Sequence, residues 1–466
     1  MPPPPSLLAP RSVAADVRAL ARLSAAMIAA QLGTMMLGVV DMLFVGRLGT
    51  QALAAVALGN VWVHGTLFVM LGLTMGADPL ISQAHGARDR EGAALAFQRG
   101  IVLALLLAVP LCGLWAATAP LLRWAGQDAA LAHQAQRFVY AQMPTAVTFL
   151  IFNVNRQYLI ARGIGAPTVW VVIGANGVNA FLNWVLVFGH LGAPALGVAG
   201  AGLATGISRA LLAATLWAVT FGFGLQRDAW VPWSRRAFDV RAIGRVVALG
   251  LPISLHFGLE GWAFQIATLM AGRLGANDLS AHTIVLNLAS LSFMVPLGIS
   301  MGASARVGNL VGAGDLAGAR RNALCALALG AGVMLLSASA FLIFRRELPR
   351  LYGADTVVAA LAASILPIAA AFQLFDGTQV VGSGVLRGLG RTRPAAVLNF
   401  VGYYVLALPL AWWLMFGRTA AGGARGGAGI VGLWWGLALG LAVVAAGISA
   451  WIARPATFLG VERARG

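Results

Sequence analysis

The chain has 466 residues, of which 59% are hydrophobic and only 10% charged, with 32 Lys+Arg against 15 Asp+Glu and a formal charge of +17. All 32 basic residues are arginine. With no lysine, a P-loop lysine and a Schiff-base amine are both excluded, so ATP hydrolysed within this chain is not the source of energy. The arginines lie scattered between apolar runs long enough to cross a bilayer, which favours membrane topology over nucleic-acid binding.

The start, MPPPPSLLAPRSVAADVRAL, has neither a short apolar region nor a small-residue cleavage site, and reads as a retained cytoplasmic tail over 1–19. Apolar periodicity then predicts twelve membrane helices, at 20–45, 51–83, 97–120, 134–160, 166–188, 196–222, 244–271, 278–305, 321–344, 356–386, 395–416 and 429–452. The expected fold class is therefore all-α integral membrane. An even number of spans puts both termini on one side. With the termini inside, the inner segments carry 22 arginines and the outer segments 9, leaving Arg209 within a span, so the bias gives both termini cytoplasmic. Cys112 and Cys325 lie in apolar runs and read as packed thiols.

The chain repeats itself. A shift of 226 residues aligns Gly46–Ala93 with Gly272–Ala319 without a gap, and 17 of those 48 positions are identical. Arg162-Gly163-Ile164-Gly165 echoes Arg387-Gly388-Leu389-Gly390 at a shift of 225. Six spans separate the copies, so both run the same way through the membrane, and two pseudo-symmetric six-helix lobes facing a central cleft follow. The expected N-lobe covers 20–222, an inner linker 223–243, the C-lobe 244–452 and a cytoplasmic C-terminal tail 453–466.

Three acids stand inside these apolar runs: Asp41, Glu260 and Asp376. A carboxylate at bilayer depth costs about 2.5–3.5 kcal/mol or more, and such residues mark ion or substrate pathways. The repeat does not share them, because Asp41 aligns with Ala267, Glu260 with Thr34 and Asp376 with Ile151. From helix rise, Glu260 lies ~18 Å from its outer GRLG end and Asp376 ~16 Å from the inner Arg387, so both sit near the midplane, while Asp41 is only ~7 Å from its own GRLG end. The structural alternative is an acid kept protonated and hydrogen-bonded to a neighbouring helix. His256, four residues before Glu260, shares its helical face and either modulates the glutamate or is bonded within the bundle. Trp262, Phe264, Gln265, Phe372, Phe375 and Gln379 flank the C-lobe acids and can line a cavity for flat cationic compounds, or pack in core and lipid. Pro252, Pro296, Pro367 and Pro409 are expected to interrupt their helices, and Asp78, beside Pro79, to meet inner-loop arginines.

These stretches resemble a known family. ALGLPISLHFGLEGWAF, followed by GRLG, Ser280-Ala281-His282-Thr283 and VGNLVGAGD, is similar to the seventh and eighth helices of multidrug and toxin extrusion (MATE) transporters of the NorM-like branch. AFQLFDGTQVVGSGVLRGLGRTRP resembles their tenth helix, GVVDMLFVGRLG their first and MGADPLISQAHGARD their second. The resemblance implies two lobes that exchange inward and outward openings. It puts the family's first-helix acid on Asp41, its seventh-helix glutamate on Glu260 and its tenth-helix aspartate on Asp376. It also puts an N-lobe cation site on Asp41, Asn179, Asn183 and Thr205; where some relatives carry a second aspartate this chain has Asn183, which argues against tightly bound metal.

The expected function is secondary active efflux of cationic lipophilic compounds by alternating access, with protons or sodium as coupling ion and no cofactor. The expected setting is a monomer in a bacterial cytoplasmic membrane, with small cationic molecules and the bilayer as its partners and no nucleic acid. Two other classes compete. A lipid-linked oligosaccharide flippase of the same superfamily needs a cationic cavity, whereas the midplane charges here are acidic. A membrane enzyme needs a cluster of histidines and acids, and the six histidines form no HExxH array.

Overall fold

The computed structural model describes residues 13–417 and 427–459. Most of the expected terminal tails, with Arg11, Arg463 and Arg465, and an outer segment with Arg418 and Arg425, lie outside the described residues. Every regular element among the described residues is a helix. In chain order they are α1 (Val13–Val45), α2 (Thr50–Thr74), α3 (Ala77–Gly86), α4 (Arg90–Ala116), α5 (Thr118–Trp124), α6 (Ala129–Gln142), α7 (Ala146–Ala161), α8 (Ala166–Phe188) and α9 (Val198–Gly222). The second repeat continues with α10 (Val240–Gly272), α11 (Ala276–Gly312), α12 (Leu316–Ile343), α13 (Thr356–Gly388), α14 (Arg393–Phe400), α15 (Leu408–Phe416) and α16 (Gly429–Ala453).

Eleven helical segments among the described residues are long and apolar enough to cross a membrane, with α2 and α3 counted as one and α14 and α15 as one. The remaining expected span, 134–160, is divided into α6 and α7 by a 3-10 turn over Met143–Thr145. Pro144 explains the break, since it has no N–H for the carbonyl of Tyr140. The same chemistry separates α2 from α3. Pro79 leaves the Met75 carbonyl without its helical donor, and the N–H of Asp78 takes it at 3.1 Å. The repeat has Ala305 in place of Pro79, and α11 runs unbroken through the identical Met301-Gly302-Ala303. Pro252, Pro296 and Pro367 lie inside continuous helices, contrary to the expected interruptions. A proline removes one donor, and neighbouring groups in a packed bundle can re-satisfy what it frees.

Five of the acids outside the apolar spans serve as helix caps. Asp89 accepts from the N–H of Gly92 at 2.8 Å and its repeat mate Asp315 from that of Gly318 at 2.7 Å, while Asp128 and Asp355 cap α6 and α13. Asp239 does the same for α10 through the N–H of Arg241 at 2.9 Å. Cys112 and Cys325 are free and half-buried.

The chain divides into two bodies, one formed by residues 29–254 and the other by 1–28 with 255–466. The boundaries fall inside α1 and α10, so the residues exchanged relative to the expected lobes are 20–28 and 244–254. In the first body α9 packs against α6, α7 and α8; in the second, α13 packs against α11, α12 and α16. Side chains added at Gly72 and Gly76 of α2–α3 would collide with the backbone of Ser254 and Gly250. Their repeat mates Gly298 and Gly302 face Ile28 and Ser24 in the same way. Ser254 and Ile28 stand 226 residues apart, as do Gly250 and Ser24, so the two close approaches are copies of one another.

The start of α1 is fixed by charge. Asp16 is buried and accepts from Arg321 Nε at 2.7 Å and Arg306 Nη2 at 3.4 Å, which makes helix of residues expected to be tail. The segment 223–243 is fastened to the first body, where Gln98 donates to the carbonyl of Val231 at 2.8 Å and Tyr158 to that of Ala229 at 2.7 Å.

Candidate functional site

In the first body, α1, α8 and α9 bring together the four residues grouped by sequence. Asp41, Asn179, Asn183 and Thr205 are each at most 4% exposed. Asn183 Nδ2 donates to Asp41 Oδ1 at 2.8 Å, Asn179 Nδ2 to the same oxygen at 3.2 Å, and the Thr205 hydroxyl to Oδ2. The i, i+4 spacing of the two asparagines puts both amides on one face of α8. Their carbonyl oxygens, Asn179 Oδ1 and Asn183 Oδ1, are buried without a hydrogen-bond partner. One helical turn beyond Thr205, Arg209 donates to Gln142 Oε1 at 2.7 Å, lies over the Phe149 ring at 4.9 Å from its centroid, and feels the charge of Asp41. Sequence left its partner unnamed. Gln142 is visible in the sequence only as an amide just before the Pro144 break.

Asp78 stands near one of the arginines counted to the inner segments. It stands in the electrostatic field of the buried Arg156, whose Nη1 and Nη2 donate to Gln31 Oε1 at 2.6 Å and Asn153 Oδ1 at 2.7 Å. Arg156 lies near the end of α7.

In the second body, α10, α13 and α14 form a separate buried polar cluster. Glu260, Asp376, His256, Gln379 and Asn399 are all at most 7% exposed. His256 Nε2 lies 3.5 Å from Glu260 Oε2, the pairing implied by their spacing. The charges of Glu260 and Asp376 act on each other. Gln379, three residues after Asp376 on the same face of α13, donates to Asn399 Oδ1 at 3.1 Å and lies 3.4 Å from His256 Nε2. Glu260 Oε2 and Asp376 Oδ1 have no hydrogen-bond partner.

The expected cavity lining separates into two sets. Phe372 is buried and edge-on to Phe264, with ring centroids 6.0 Å apart, and Phe375 and Phe264 are half-buried. Trp262 and Gln265 are exposed on the surface of α10. Asn399 was missed, although a lone amide in an apolar span is a legible signal.

Known proteins resemble the chain over nearly its whole length. The MatE family profile matches residues 26–185 and again 252–413, and the two matches begin 226 residues apart. The chain is 37% identical to the probable multidrug resistance protein NorM of Burkholderia pseudomallei (strain K96243), over 99% of this chain and 96% of the relative. It is 33% identical to multidrug and toxin extrusion protein 2 of Mus musculus, over 91% of this chain and 71% of that protein. Among solved structures, the crystal structure of the eukaryotic MATE transporter AtDTX14 superposes with a TM-score of 0.87 at 26% identity, covering 97% of this chain and 99% of the other. A MOP superfamily transporter from Pyrococcus furiosus, at 21% identity and a TM-score of 0.84 over 97% of each chain, shares the fold.

Proposed function

The chain belongs to the MatE family, and on that premise we propose that it is a secondary active efflux transporter that exports cationic lipophilic compounds in exchange for a cation. The observation that carries this reading is the Glu260–Asp376 pair. Two buried carboxylates act on each other, and each keeps an oxygen without a hydrogen-bond donor. Two negative charges at that depth persist only with a positive partner, which can be a proton, a metal ion or a cationic substrate. One pair that takes either ion or substrate provides the coupling antiport requires, because occupancy by one favours release of the other.

Asp41 supplies a second exchange site, in which a proton competes with sodium. For sodium, the oxygens of Asn179 and Asn183 would have to turn toward Asp41 in place of the amide N–H groups that now face it. Asn183 in place of an acid also leaves that site with a single carboxylate. The balance favours protons. The buried acids disfavour a pyrophosphate-headed lipid as cargo. The setting we propose is a monomer in a bacterial cytoplasmic membrane with both termini inside.

The test has two stages. Expression in a pump-deficient bacterial host should lower accumulation of cationic dyes; unchanged accumulation across a broad cationic panel, with the protein present in the membrane, would overturn the efflux reading. In proteoliposomes, an imposed pH gradient without sodium should drive transport. Transport that appears only with a sodium gradient would reverse the choice of ion.

A further inference from the structure

Between α14 and α15 the chain forms a π-helical segment, Val401–Ala407, in a span that sequence periodicity reads as a single helix. A π turn inside a helix is rare, breaks the regular hydrogen-bond ladder and occurs frequently at functional sites. Its local cause is Pro409, which has no N–H for the ladder and stands two residues beyond the segment.

Three residues in and beside this segment contact α10 on both sides of Glu260. Asn399 Nδ2 meets the ring of His256, one turn before the glutamate. The Tyr404 hydroxyl donates to the carbonyl of Leu259 at 3.0 Å. The Tyr403 ring lies 5.9 Å from that of Phe264, one turn after the glutamate. The stretch 256–264 of α10 is thus held at three points. Asn399 also accepts from Gln379, so the same segment is tied to the helix that carries Asp376.

Packing does not account for Tyr403. Its side chain is fully buried, its hydroxyl has no hydrogen-bond partner, and it stands in the field of both Glu260 and Asp376. A buried phenol without a partner is costly, and phenylalanine would fill the same space at no such cost. Its hydroxyl can donate to an ionised carboxylate and accept from a protonated one, so it suits either state of the pair.

We propose that Asn399 and Tyr403 are positioning residues of the Glu260–Asp376 pair, aimed together by the π-helical segment between α14 and α15. Asn399 holds His256 and Gln379 in register with the two acids. Tyr403 supplies a hydroxyl held ready for whichever carboxylate is charged. The proposal deepens the reading of this pair as the ion-exchange site and rests on it.

The test uses the purified full-length chain in lipid nanodiscs and needs no transported substrate. Infrared difference spectra recorded across a pH titration report the protonated carboxyl band, assigned to the pair by its loss in Glu260→Gln and Asp376→Asn. Tyr403→Phe keeps the ring against Phe264, and Asn399→Leu keeps the volume while removing both hydrogen bonds. Each should displace the pH profile of that band by about one pH unit or more, a tenfold change in proton affinity. The other charged or titratable groups facing the cluster, His256, Arg387 and Tyr404, are unchanged in both variants. Parental profiles in both variants would overturn the proposal. If Asn399→Leu does not assemble, Tyr403→Phe decides alone. A displaced profile in a chain that moves no compound in vesicles would refute the efflux reading and leave the positioning role standing.

Discussion

The two buried acid sites differ in how their hydrogen bonds are spent. Around Asp41, Asn179, Asn183 and Thr205 all donate to the one carboxylate, and Arg209 adds its charge from the next turn. Around Glu260 and Asp376 the polar side chains bond mostly to each other, through His256, Gln379 and Asn399, and each acid keeps an oxygen without a partner. Donors in place oppose the cost that burial puts on the charged form of a carboxylate. A pair with an oxygen left open on each acid depends on what binds. Both are read as exchange sites, but the first meets its acid with protein donors while the second leaves its pair to the ion or substrate that arrives.

The strongest challenge to that contrast is to remove the exchange. Glu260→Gln and Asp376→Asn keep side-chain volume and remove titration, so each should reduce ion-driven efflux in proteoliposomes to the level of empty vesicles, with expression near that of the parent. Either variant pumping at the parental rate would make its acid a packing residue.

A smaller effect separates the sites by stability. Asp41→Asn presents an amide N–H₂ to donors that already point at it, so it should lose about 1–3 kcal/mol. Asp376→Asn meets no such crowd of donors and should lose less. Thermal unfolding of the two variants in one detergent ranks them, and the reverse order would contradict the contrast. The mildest change is Thr205→Val, which removes one of Asp41's donors and should cost about 1 kcal/mol while efflux continues. A silent Thr205→Val in the same unfolding assay would show that the hydroxyl is not needed.

Much of this contrast was legible in the sequence. The acids declared themselves by standing in apolar runs, and the i, i+4 spacings of Asn179 with Asn183 and His256 with Glu260 gave each pair a common face. The grouping of Thr205 with Asp41 came from family resemblance, since nothing in the spacing of 41 and 205 brings two helices together. Local breaks at Pro79 and Pro144 follow from a missing N–H, yet Pro252, Pro296 and Pro367 lack the same group and sit in unbroken helices. Which outcome a proline gives is decided by neighbours in the bundle, and a single sequence does not state them. Tyr403 escaped for the same reason, whereas Asn399 marks itself as a lone amide in an apolar span. Hydrophobic periodicity averages over a span, and a π segment of seven residues changes side-chain direction without changing composition.

The exchange of helix segments bears on how such a chain arose. Each body completes its packing with the opening half of a helix from the other repeat: Ser24 and Ile28 lie against Gly302 and Gly298, and Gly250 and Ser254 against Gly76 and Gly72. A single-copy, six-helix ancestor with this packing would leave those glycine faces bare and its first helix half-unpartnered. It would have to borrow that segment from a second copy, as a domain-swapped homodimer does. The duplicated chain carries both partners of that swap in one molecule.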